Sequence, residues 1–135
     1  MLSGLDIGLL KYYFMNIRLH EIEFGCADAK KTGEFYQAAL GLSIQVDQPG
    51  LKVFNAGING LDLNASIHLP SGNTMISFIT DNLEEVMDKL MSLNILYDGP
   101  RDTHLGMLSI SFNDPDGNLI KVNCPGEHSP EWLKQ

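Results

Sequence analysis

From Asn16 to Cys26 apolar and polar side chains take turns: Ile22, Phe24 and Cys26 fall on one side, Glu21, Glu23 and Gly25 on the other. Residues two apart share a face of an extended chain, so the stretch predicts a half-buried strand. The period then changes. Asp28 caps a helix in which Phe35, Tyr36, Ala39 and Leu40 recur at helical spacing, and Gly41 stops it. Three short strands are expected next, over 42–48, 51–56 and 61–69, divided by Pro49-Gly50 and by the turn residues 57–60.

The second half repeats this order. "NTMISFIT" alternates as a strand, Asp81 or Asn82 can cap, and Leu83, Val86, Met87, Leu90 and Met91 form the apolar stripe of a second helix. Glu84 and Glu85 suit its positive N-terminus. Three further strands are predicted near Ile95 to Tyr97, in "MLSISFND" and in "NLIKVNC", the last launched by the turn Asp114-Pro115-Asp116-Gly117-Asn118. Overlaying "EIEFGCAD" on "MISFITD" matches Ile22 with Ile76 and Phe24 with Phe78, the mark of a duplicated unit.

The expected fold is therefore α+β: two βαβββ modules, about 15–70 and 73–125, forming one curved mixed sheet around a cavity, with the helices on its outer face. If Ile22, Phe24, Ile76, Phe78, Ile120 and Val122 bury against the helices, the other parity lines the cavity. That parity carries Glu21, Glu23, Met75, Ser77, Ile79, Leu119, Lys121 and Asn123, joined by Asp62, Asn64, Ser66 and His68 from the strand at 61–69. A mixed polar wall of this kind suits a small-molecule site.

Composition narrows the function. At 135 residues and 44% hydrophobic the chain suits one globular domain, read here as 15–126 with an N-terminal extension at 1–14 and a tail at 127–135. A net charge of -8 without a basic cluster argues against nucleic acid, and no apolar run is long enough to span a membrane. Two distant cysteines, Cys26 and Cys124, fit a reduced cytoplasmic setting, and Cys26 reads as a small core residue.

The strand "HEIEFGCAD", the segment "FYQAALGL", the helix in "DNLEEVMDKL" and the closing "FNDPDGNLIKV" together resemble the glyoxalase, bleomycin-resistance and extradiol-dioxygenase superfamily, the vicinal oxygen chelate fold, over most of 15–125. That resemblance implies paired modules, frequent homodimers and, in catalytic members, up to four His or Glu ligands for a divalent metal on the cavity strands. The corresponding positions fall on Glu21, on Asp62 or Asn64, on Met75 and on Lys121. A thioether suits a hard cation poorly, and an ammonium repels one. The expectation is a metal-free small-molecule-binding protein, for sequestration, resistance or sensing, with a ligand held by Glu21, Glu23, Asp62, Asn64, Met75, Ser77 and Lys121.

The alternative is a lyase, isomerase or dioxygenase holding Zn, Ni, Mn or Fe on His20, Glu21, Asp62 and His68. His20 has the parity of Ile22 and Phe24 and reads as a histidine at a strand edge, although a one-residue slip would exchange it with Glu21. His104 lies in a loop that reads either as a flap or as plain surface, and Trp132 reads as the apolar cover of a dimer interface or of its own subunit.

Overall fold

The computed structural model describes residues 16–134. Its chain order is β1 (Ile17–Gly25), α1 (Ala29–Leu40), β2 (Ile44–Gln48), β3 (Leu51–Asn55), β4 (Asp62–Ser66), β5 (Thr74–Thr80), α2 (Leu83–Ser92), β6 (Asp98–Asp102), β7 (Leu108–Asn113) and β8 (Leu119–Cys124). Both helices begin where an Asx side chain can replace a missing backbone acceptor. The Asp28 carboxylate accepts from the Lys31 amide at the start of α1, and the Asn82 carbonyl accepts from the Glu85 amide at the start of α2. Gly41 ends α1 in the left-handed region, at φ 68°.

The eight strands form one mixed sheet in the order β2-β3-β4-β1-β5-β8-β7-β6. Each module contributes four strands, and the two meet where β1 pairs antiparallel with β5. Within the modules β1 runs parallel to β4 and β5 parallel to β8. The expected α+β architecture of two βαβββ units is thus the observed one.

Each helix buries its own half of the outer face. Under α1, Tyr36 packs between Phe24 and Phe54, with ring centroids 5.4 and 5.3 Å away, among Leu42, Ile44, Leu63 and Ala65. Under α2, Leu83, Val86 and Leu90 pack on Phe78, Ile110, Phe112, Ile120 and Val122. These are the apolar parities of the strands, so the opposite parities are left to the concave face.

One strand departs from expectation. Ile95 and Tyr97 are not paired; they pack against the α2 core while the chain still folds around the helix end, the Ile95 amide donating to the Leu90 carbonyl and Asn94 standing at φ 57°. Pairing with β7 begins only at Asp98. The proposed extension at 1–14 lies outside the described residues. Of the tail, residues 131–133 form a 3-10 turn that plants Leu133 in a small cluster with Ile79 and Met107, whereas Trp132 stays exposed. Within its own chain Leu133, not Trp132, is the cover. Among the described residues no helix is long and apolar enough to cross a membrane.

Candidate binding site on the concave face

The ladder registers align the concave side chains into rows across the sheet. Asp62 lies opposite Glu21, Glu21 opposite Ser77, Ser77 opposite Lys121, and Lys121 opposite Ser111. One row deeper, Asn64 faces Glu23, Glu23 faces Met75 and Met75 faces Leu119. Cross-strand partners on one face stand about 5 Å apart, so each row is a continuous surface. Every residue expected to bind a ligand therefore belongs to one patch over β4, β1, β5 and β8. Ser77 stands level with Glu21 and Lys121, and Met75 stands level with Glu23 and Leu119.

His20 also departs from expectation. The β1–β5 register shifts between Leu19 and Glu21, leaving His20 as the extra residue of a bulge. Simple alternation would have sent its ring toward the helices. Instead donor atoms of His20, Glu21 and Asp62 all lie within 4.8 Å of one another. His68, proposed beside them, is exposed beyond the end of β4 and is not in this group. No alternating pattern announces a bulge, so parity alone misplaced the histidine.

The patch is poor in partners for its polar atoms. His20 (8% exposed), Asn64 (5%), Ser77 (1%) and Asn123 (3%) are buried, yet His20 Nδ1, Asn64 Oδ1, Ser77 Oγ and Asn123 Oδ1 have no hydrogen-bond partner among the described residues. Each such atom costs about 1–3 kcal/mol if it stays unsatisfied. All four belong to the concave side of β1, β4, β5 and β8. Elsewhere buried polar groups are paired, as where the Thr80 hydroxyl donates to the Asn16 carbonyl at 2.8 Å.

The electrostatics are as lopsided as the hydrogen bonding. Burial, then the Glu23 carboxylate, pushes Glu21 above the usual carboxylate range; Asp62 adds to this, while a hydrogen bond from Asn64 and the charge of Lys121 oppose it. Burial holds His20 below the ordinary histidine value against the pull of Asp62, with Arg18 and His104 helping to lower it. His104, carried by the loop before β7, is likewise lowered by burial and then by the Lys121 ammonium. Thr103 of this loop lines the cleft beside Lys121. Lys121 forms no ion pair within 4 Å among the described residues, so Glu21 and Lys121 face each other across a strand without contact.

A cleft of about 280 Å³ opens beside Lys121, walled by Met75, Leu119, Thr103, Ser109 and Ser111, with Asp102 and the Asp98–Arg101 ion pair at its outer side. The chain matches the family model described as Glyoxalase/Bleomycin resistance protein/Dioxygenase superfamily over residues 18–122. No curated protein matches it. Among solved structures it is similar to a glyoxalase/bleomycin resistance protein/dioxygenase superfamily member from Vibrio splendidus 12B01, at 15% identity, covering 81% of this chain and 99% of that one, TM-score 0.61. It is also similar to methylmalonyl-CoA epimerase from Mycobacterium tuberculosis, at 15% identity, 87% and 91% coverage, TM-score 0.59. A structure described as NAD-dependent benzaldehyde dehydrogenase from Legionella pneumophila is similar at 18% identity, 78% and 98% coverage, TM-score 0.61.

Proposed function

For a chain that belongs to the glyoxalase/bleomycin resistance protein/dioxygenase superfamily, we propose that the function is the metal-free binding of a small polar molecule on the concave face, along the row Asp62–Glu21–Ser77–Lys121. The observation that carries this reading is the set of four buried, unpartnered polar atoms on His20, Asn64, Ser77 and Asn123. A chain keeps such atoms at a cost to stability when a ligand or its water completes them. Lys121 supplies a positive charge, and Ser77 and Asn123 supply short polar contacts.

The departure from the four-ligand metal pattern supports the metal-free form. The second module offers Met75 and Lys121 where the resemblance asks for two ligands, a soft thioether and an ammonium that suit a hard divalent cation poorly. A second reading has an observation of its own: His20, Glu21 and Asp62, all from the first module, are close enough to share a divalent cation. Lys121 stands on the far side of Glu21 from Asp62 and does not obstruct that place. A cation there would act as a Lewis acid toward a ligand oxygen.

Native mass spectrometry with metal analysis, on protein purified without chelators, decides between the readings. The expected result is a bound small molecule, retained less by Ser77→Ala and Asn64→Leu variants, with far less than one metal per chain. A stoichiometric divalent ion lost in Asp62→Asn overturns the metal-free form.

A further inference from the structure

Charge on the concave face is segregated. Glu21, Glu23 and Asp62 crowd the β1–β4 side. Arg18 borders this group on the His20 side, with its guanidinium near Gly60 and donating to the Leu133 carbonyl at 3.3 Å. On the β8 side stands Lys121, with Thr103, Ser109 and Ser111 lining the same cleft. Asp98 at the cleft's rim is already paired to Arg101, and Asp102 lies at the same exposed edge. Between the two charged ends lies the buried, unpartnered hydroxyl of Ser77.

Opposite charges in a half-buried cup attract across several ångströms, and a lysine stem is long enough to let its ammonium approach a carboxylate two strands away. Here the chain does not bring them together. A molecule with both signs of charge would join them, gaining charge-assisted hydrogen bonds at each end and a polar contact in the middle. We infer that the ligand is a dipolar small molecule, with a cationic nitrogen held against Glu21, Glu23 and Asp62 and a carboxylate or similar anion held by Lys121. This rests on the binding reading above and narrows it. Two steps between neighbouring strands separate the ends by roughly 10 Å of backbone, and the side chains converge over the concave face, so a flexible chain of several carbons is the right span.

The test is an NMR titration of isotope-labelled, chelator-treated protein with ε-aminocaproate, n-hexylamine and n-hexanoate, three probes of one length and different charge. The expected dissociation constant of ε-aminocaproate is at least tenfold below those of both others. Lys121→Met should abolish that advantage, and Lys121→Arg, which keeps the charge, should retain it. An advantage under about threefold, no binding by any probe, or an advantage that survives Lys121→Met overturns the inference. If the dipolar preference fails while a copurified molecule still depends on Ser77 and Asn64, the site stands and only the ligand class falls; if neither appears, both fall.

Discussion

At the scale of single residues, Glu21 shows how the site trades against stability. Its folded pKa is raised above 4.5, so the folded chain holds this proton more tightly than the unfolded chain does. The corresponding stabilisation is complete below pH about 4.5 and is lost as the pH climbs through the raised value. At neutral pH the ionised Glu21 is then a burden on the ligand-free fold. Glu21→Gln keeps the shape and the hydrogen-bonding capacity without the charge. In chelator-treated protein this variant should melt higher than the parent at pH 7, and the two melting curves should converge as the pH falls toward 4.5. Equal melting temperatures at pH 7 would show that the carboxylate crowding carries no energetic weight. The companion expectation concerns Ser77→Ala, which removes an unpartnered buried hydroxyl and should leave the ligand-free protein as stable or more so, by up to about 1 kcal/mol in urea denaturation, while weakening ligand retention.

At the scale of elements, alternation and helical period were enough to place both helices and seven of the eight strands, because each buries one face and therefore repeats at its own period. What the pattern could not carry was irregularity. The bulge at His20 breaks the two-residue period for a single step, and the late start of β6 follows from a helix end whose backbone is still satisfied by Leu90. The first bears on chemistry, since it brought His20 to Glu21 and Asp62. The turn before β8, by contrast, was plain in the sequence. One Asp114 oxygen accepts from the amides of Asp116 and Asn118, each at 2.9 Å, and the other from the Asn118 side chain at 2.9 Å. Those bonds to the charged form hold Asp114 below 3.8, so the turn's contribution is present above that pH and is lost as the pH falls through the lowered value. Asp114→Ala should accordingly destabilise the protein at pH 7, and the gap between variant and parent should narrow below pH about 3.8. A gap that stays constant with pH would assign the loss to turn geometry and not to the carboxylate. Because this turn delivers Lys121 to the row, the variant should also weaken ligand binding.

At the scale of the whole molecule, the two modules are tied together along β1–β5, and the same seam carries the proposed site: Glu21 from one side, Ser77 from the other. The tail closes one end of that seam. After β8 the chain turns back, the Gly126 amide donating to Ser129 Oγ and the Ser129 hydroxyl to the Leu105 carbonyl, so that tail and His104 loop are fastened to each other. Leu105 is held at φ 58°, a strained setting for a side-chain-bearing residue, which that fastening helps to maintain. Leu133 then drops into the seam against Ile79 and Met107, fully buried, and its carbonyl receives Arg18. If this is one mechanical unit, removing the Leu133 side chain must do two things at once. Leu133→Ala should cost about 2–5 kcal/mol in urea denaturation, the ordinary loss for a buried leucine. It should also speed hydrogen exchange at the amides of 103–107, which lie in the His104 loop and not in the tail. A loss of stability without faster exchange in the loop would mean that the tail braces the sheet but does not hold the His104 loop, and the loop would then have to be treated as independent of the fold that surrounds it.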